Sequence, residues 1–337
     1  VVIRRVSGKK GHHLETTVKG GKMKKILPRI LLWSCLILAT TSAVYAAQTF
    51  TLILDWFPNV DHLPIYVARH QGYFSQKGLD IKIISPSETA DALKLAATGN
   101  VDIAVSYEPQ TIIAAARGLE IVAFGRLIEH PLTTLLFMKD SGIKIPKDLE
   151  GKKIGYTVPG LMDILLAAFA KVNNINQYTA VNVGFSIVQS LTAKKVDAVM
   201  GPFKTYETVE MAHRGYEVGY FELEKWGIPD YDELIFVTSI KTIKKNHAAF
   251  MAFIDSIDRA IVYVRKNPEI ALQYYFEEVP EADRNTESDA FKLTMPYYAQ
   301  HQKLDPQQWQ HFADFAAQYG LIEKAVDVKK ILWPINP

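Results

Sequence analysis

Cysteine is all but missing from this chain of 337 residues. The single one, Cys35, lies in an apolar leader, so nothing beyond residue 46 carries a thiol. That excludes disulfides and thiolate metal or iron–sulfur sites from the body of the protein. Positive charge is scarce there too. Nine of the 38 Lys and Arg fall in residues 1–46 against one acid, Glu15, and the 29 basic and 35 acidic side chains that remain give residues 47–337 a balance of −6. A mildly acidic body without basic runs excludes a nucleic-acid partner. No G-x-S-x-G, H-E-x-x-H, Walker or dinucleotide fingerprint occurs, so no catalytic residue, metal or cofactor is expected. Long hydrophobic runs are missing as well. Ile30–Ala39 holds ten apolar-rich residues, too few for a lasting membrane span, which takes about 20.

What is present begins with that leader. From Met23 the chain reads MKKILPRILLWSCLILATTSAVYA, a basic start, an apolar middle and small residues ending in Val44-Tyr45-Ala46. This three-part layout predicts a cleavable secretory signal over 23–46 and a periplasmic protein. Residues 1–22 have no hydrophobic period and read as an untranslated or disordered leader. At 48% apolar and 22% charged, the rest has the composition of a globular chain long enough for two packed domains.

Through the first two thirds, short β-branched runs alternate with helical periods: strands over 49–55, 79–85, 101–106, 152–158, 180–186 and 196–201, with helices between. The fold class expected is α/β, two-lobed, each lobe a mostly parallel sheet flanked by helices, with a helical C-terminal region from about residue 240. Residues 48–135 plus 235–337 form lobe I and 136–234 lobe II. Two segments support the duplication: ALKLAATGNVDIAVSYEP (92–109) and IVQSLTAKKVDAVMGPF (187–203) each give a helix, a polar turn, then Val-Asp and an apolar strand. Two such lobes make a cleft that closes by a hinge, with ligand contacts supplied by loops beyond the strand ends. Export, two lobes and a helical tail together suggest a periplasmic solute receptor.

The residues after the strands are therefore the candidates. They are Asp55-Trp56-Phe57-Pro58-Asn59, Tyr107-Glu108, and Phe203 with Tyr206-Glu207; aromatics and carboxylates dominate, and arginine is absent. A sulfonate or nitrate site would carry Arg or Lys. Flat aromatic walls with a few acceptors suit a planar heterocycle with N–H groups at its edge. Each candidate has a plainer reading. Trp56 is a site wall or a cap on a lobe's core; Asn59 a ligand contact or a turn residue after Pro58; Glu108 and Glu207 contacts or solvated glutamates. Tyr107 and Phe203 read as site residues, and Phe57, Tyr73 and Phe74 as packing. His62 opens a helix facing the cleft, but no second His stands at metal-ligand spacing on that element.

The segments LDWFPNVDHLPIYVARHQGYF, GLDIKII, GNVDIAVSYEP, DLEGKKIGY, VDAVMGPFKTYETVEM and WGIPDYDELIF together resemble the family that joins bacterial thiamine-pyrimidine-precursor binding proteins with the fungal pyrimidine synthase of thiamine biosynthesis. The resemblance runs over roughly 50–320. It implies a formylaminopyrimidine or hydroxymethylpyrimidine ligand, stacked on aromatics and bonded at its amino edge by a second-lobe glutamate, and delivery to an ABC transporter permease, the only link to a membrane. By pattern it puts Trp56, Asn59 and His62 on W-x-P-N-x-x-H, Tyr107 on the first-lobe S-Y loop, and Phe203 and Glu207 on the second lobe's G-x-Y-x-x-x-E, with Phe203 where tyrosine is usual. Two alternatives stand beside it. One is a synthase that binds pyridoxal phosphate and consumes its own histidine with iron, although the fungal cysteine tract is missing here; the other is a receptor for a different solute such as a sulfonate.

Overall fold

The computed structural model describes residues 47–334, with Glu15–Thr17 and Gly20; the expected signal 23–46, Cys35 included, lies outside the described residues. Ten strands and ten α-helices are found among those described: β1 (Gln48–Ile53), β2 (Leu79–Ile84), β3 (Ile103–Ser106), β4 (Ile121–Ile128), β5 (Thr133–Met138), β6 (Lys153–Tyr156), β7 (Thr179–Asn182), β8 (Ala198–Phe203), β9 (Val218–Glu222) and β10 (Leu234–Ser239). The helices are α1 (Leu63–His70), α2 (Asp91–Thr98), α3 (Glu108–Ala116), α4 (Met162–Val172), α5 (Ile187–Thr192), α6 (Glu207–His213), α7 (Ile240–Lys266), α8 (Pro268–Glu278), α9 (Arg284–Thr294) and α10 (Pro306–Tyr319). None is long and apolar enough to cross a membrane.

The strands form two sheets with the same plan, β2-β1-β3-β10-β4 and β7-β6-β8-β5-β9. In each, one strand opposes the other four, β10 in the first and β5 in the second. Each odd strand is the first to arrive after the chain crosses from the other sheet. Four like-directed strands per sheet match the mostly parallel expectation. The sequence reading names no strand at β4, β5, β9 or β10, because β4 and β5 follow each other without an intervening helix and so break the alternation it rests on.

The repeated Val-Asp has a physical job. Asp102 Oδ2 accepts from the Thr51 N–H of β1 at 2.8 Å, and Asp197 Oδ2 accepts from the Lys153 N–H of β6 at 2.8 Å. In both lobes the aspartate ties the start of the central strand to its parallel neighbour with a charge-assisted bond. The first lobe's core is aromatic: Phe50, Phe124 and Phe250 meet edge to face at 5.4 and 4.9 Å, and Phe253 meets Phe236 in the same way at 5.0 Å. Helix α7 brings Phe250 and Phe253 onto the sheet as part of its 3.6-residue stripe.

The chain changes sheet between Ile128 and Thr133 and again between Glu222 and Leu234. Glu233 binds the two crossings together. Its carboxyl accepts from the Thr133 N–H and hydroxyl, both at 2.7 Å, and from the Leu132 N–H at 2.5 Å. Burial pushes it up to about 7 despite those donors.

Candidate functional site

Between the lobes lies a narrow pocket of about 360 Å³ of empty volume, built from the carboxyl ends of strands in both sheets. The first lobe's contribution starts where β1 ends. Asn59 caps a short 3-10 turn, Val60–His62, by accepting from the Asp61 N–H at 2.9 Å, and Pro64 opens α1 immediately after it. The turn holds Asp61 and His62 inward, both fully buried. Asp55 ties this loop to the next: its Oδ1 lies 2.8 Å from His62 Nε2, and Oδ2 accepts from the Tyr107 hydroxyl at 2.6 Å. Burial, reinforced by Asp55, holds the Tyr107 phenol well above its usual range, so it stays a donor.

The second lobe supplies Thr157 after β6, Ile187 from α5, Gly201 and Phe203 of β8, and Tyr206-Glu207 at the start of α6. Gly201 is required where it stands. With φ at +126° it takes a conformation closed to L side chains, and a Cβ there would sit 2.0 Å from Thr157 Oγ1. Glu207 Oε2 accepts from the Phe203 N–H at 2.7 Å, which leaves the other oxygen for a ligand. Burial pushes this carboxyl up to about 8, and it pushes Asp61 up to about 6.

Trp56 crosses between lobes. It leaves the first sheet and packs in the second lobe's own apolar cluster with Leu136, Ile187, Val188 and Leu191, its ring 4.5 Å from that of Phe185. It is thus both a pocket wall and a cap on a core, though the core is the other lobe's. Phe57 is expected as core and is instead 38% exposed, its ring 6.4 and 6.3 Å from those of Phe185 and Tyr206. Phe74 does pack, stacked on Phe253.

Of the seven site residues read from sequence, the pocket brings together Trp56, Asn59, His62, Tyr107, Phe203 and Glu207. Glu108 is not among them. It is the first residue of α3 and wholly buried; its Oε2 accepts from the Asp232 N–H at 2.8 Å, and its Oε1 is buried without a partner among the described residues. Burial holds it well above the usual carboxylate range. Asp61, Thr157, Ile187, Gly201 and Leu234 were missed. Each stands in a segment already singled out, Ile187 at the start of 187–203 and Leu234 within WGIPDYDELIF, so proximity was a usable signal.

Two features bear on chemistry. Among the described residues no Lys or Arg lines the pocket, while Asp55, Asp61 and Glu207 do. Lys204, next to Phe203, is tied by Glu222 and Glu224 at 3.0 Å each. Second, Trp56 Nε1, Asp61 Oδ2 and His62 Nδ1 are buried without a partner among the described residues. In the tautomer that puts Nε2–H on Asp55, Nδ1 is an acceptor. In that tautomer, one donor and two acceptors on pocket-lining residues are without a partner among the described residues. Among the described residues no cluster of three or more His, Cys, Asp or Glu could hold a metal.

Residues 59–271 match the NMT1/THI5-like family. A Haemophilus influenzae protein named for thiamine biosynthesis is 36% identical over 87% of this chain and 94% of its own. The formylaminopyrimidine-binding protein of Halalkalibacterium halodurans is 28% identical, covering 79% and 81% respectively. A 4-amino-5-hydroxymethyl-2-methylpyrimidine phosphate synthase of Saccharomyces cerevisiae is 27% identical, covering 75% and 78%. In fold the chain is similar to the periplasmic aliphatic sulphonate binding protein SsuA from Escherichia coli, with a TM-score of 0.65 at 15% identity over 86% of this chain and 92% of that one.

Proposed function

The chain belongs to the NMT1/THI5-like family, and from that premise we propose that it is the extracytoplasmic solute-binding component of an ABC importer, capturing a thiamine pyrimidine precursor of the formylaminopyrimidine or hydroxymethylpyrimidine type. The observation that carries this reading is the lining: aromatic walls from both lobes, three carboxylates and, among the described residues, no Lys or Arg. Such a lining repels a sulfonate or nitrate and suits a flat ring with amino donors. An aminopyrimidine offers an exocyclic NH₂ and ring nitrogens, which complement the open acceptors of Asp61 and His62 and the open indole donor of Trp56. Glu207 would pair with the amino edge, Trp56 and Phe203 would stack on the ring, and Tyr107 and Asn59 would complete the walls. Each well-placed stack adds about 0.5–1.5 kcal/mol beyond burial.

The lobes would close about the two crossings tied by Glu233, burying both faces of the ring, with lobe I spanning 48 to about 130 and returning from about 234. Micromolar or tighter capture, about −8 kcal/mol, is then expected. Titrating the exported protein with formylaminopyrimidine should shift tryptophan emission and raise the melting temperature. A response to alkanesulfonates and none to pyrimidines would replace this reading with the anion-receptor one.

The synthase relative and the Asp55–His62 pair support a second reading, an enzyme acting through His62. The residues present do not fit pyridoxal phosphate: the pocket has no lysine for the aldehyde and no cation for the phosphate. A peptide mass map in which His62 is altered after incubation with pyridoxal phosphate and iron would favour the enzyme; intact His62 favours capture.

A further inference from the structure

Helix α9 lies beyond the residues matched to the family and lines none of the pocket. Four of its side chains nevertheless fasten the pocket's frame from both lobes. Glu287, fully buried, accepts from the Val60 N–H of the first lobe and from the Tyr206 hydroxyl of the second, both at 2.9 Å. Thr294 donates to Asp61 Oδ1 at 2.9 Å. On the second lobe's α6, the two His213 nitrogens lie 3.1 Å from Thr286 Oγ1 and from Asp289 Oδ2. Just past the helix, the Tyr298 hydroxyl donates to the Val60 carbonyl.

We propose that α9 is a strap that holds the lobes shut over the ligand, with Glu287 as its positioning residue. This rests on the capture function proposed above. The bonds to Val60, Asp61 and the Val60 carbonyl stay within the first lobe and anchor the strap. Those to Tyr206 and His213 cross the cleft and break when it opens. A buried carboxyl that loses a partner on opening favours the closed state. Affinity scales with the closed population, so contacts that touch no ligand atom set how long the ligand stays. Glu287 does this from both ends: it fixes the turn carrying Asp61 and His62, and it fixes the Tyr206 ring that lines the pocket.

The test uses the full chain in a Cys35→Ser background, so that spin labels attached at Lys82→Cys and Lys195→Cys, one on each lobe, are the only ones. Pulsed electron resonance reads the interlobe distance without ligand and with saturating formylaminopyrimidine. For His213→Ala and Glu287→Gln the ligand-free distances should shift to longer values. Formylaminopyrimidine should dissociate about fivefold faster from Glu287→Gln, which loses one buried hydrogen bond, and at least as much faster from His213→Ala, which loses two partly exposed ones, with association unchanged in both. Distances equal to the parent's in both variants overturn the strap, as does a slower association with unchanged dissociation. His213 lies at the surface, so its variant carries the test if Glu287→Gln fails to fold. A parent chain that binds no pyrimidine sinks the capture reading alone, because the ligand-free distances still decide the strap.

Discussion

Glu207→Gln changes one atom at the point where ligand recognition is argued to concentrate. The parent carboxyl is 6% exposed and is pushed up to about 8 by burial, so at pH 7 the empty pocket holds it mainly as the neutral acid, with one O–H donor and one carbonyl acceptor. On binding, this proton passes to the ligand's basic ring nitrogen, so the bound carboxylate accepts from the ring N–H and the amino group beside it. Oε2 already serves the Phe203 N–H at 2.7 Å. An amide placed there either keeps its oxygen on Phe203 and turns NH₂ toward the ligand's amino group, or flips and leaves the Phe203 N–H facing NH₂. In both orientations one bond is lost, a cost of about 1–3 kcal/mol, or about 5- to 150-fold in Kd. Folding should not suffer, because an amide cannot ionise and escapes the buried-charge cost above pH 8. Calorimetric titration with formylaminopyrimidine at pH 7, beside melting curves at pH 7 and 9, separates the two. An unchanged titration curve on an intact fold would remove Glu207 from the site.

Stability of the ligand-free protein should fall as pH rises from about 5 to 8 and then level. Asp61 at about 6, Glu233 at about 7, and Glu207 and Glu287 at about 8 all sit above their unfolded values, so the folded chain binds more protons in that window. Melting temperatures that climb from pH 5 to 8 would contradict this. Trp56→Ala should cost about 3 kcal/mol in urea titration, since it empties a place in the second lobe's cluster as well as the pocket wall; unaltered stability would deny that packing. Asp102→Ala and Asp197→Ala should lose similar stability, about 1–3 kcal/mol each for one charge-assisted bond, with ligand affinity unmoved. Unequal losses would deny the equivalence of the two lobes.

The sequence exposed the parts of this architecture that repeat locally. Alternating strand and helix periods gave two lobes, and Val101-Asp102 and Val196-Asp197 mark the same bond in each. Residues beyond strand ends were legible because topology sends them to the cleft: Trp56, Tyr107 and Phe203 needed only that rule. What it could not supply was direction. Glu108 and Glu207 each open a helix after a corresponding strand, yet one turns into the first lobe toward the Asp232 N–H and the other toward the pocket, a difference set by a chain crossing more than a hundred residues away. Trp56 reads as a cap without revealing that the core it caps belongs to the other lobe. Glu287 was invisible for a related reason. Its partners, Val60 and Tyr206, are distant in sequence, and α9 is polar enough to look like solvated surface.

A co-crystal structure with formylaminopyrimidine tests the central claim most directly. The account predicts the ring seated between the Trp56 indole and the Glu207 carboxyl, its amino edge on that carboxyl, with both lobes in contact. Density for the pyrimidine on one lobe alone, or anywhere outside that crevice, would contradict it.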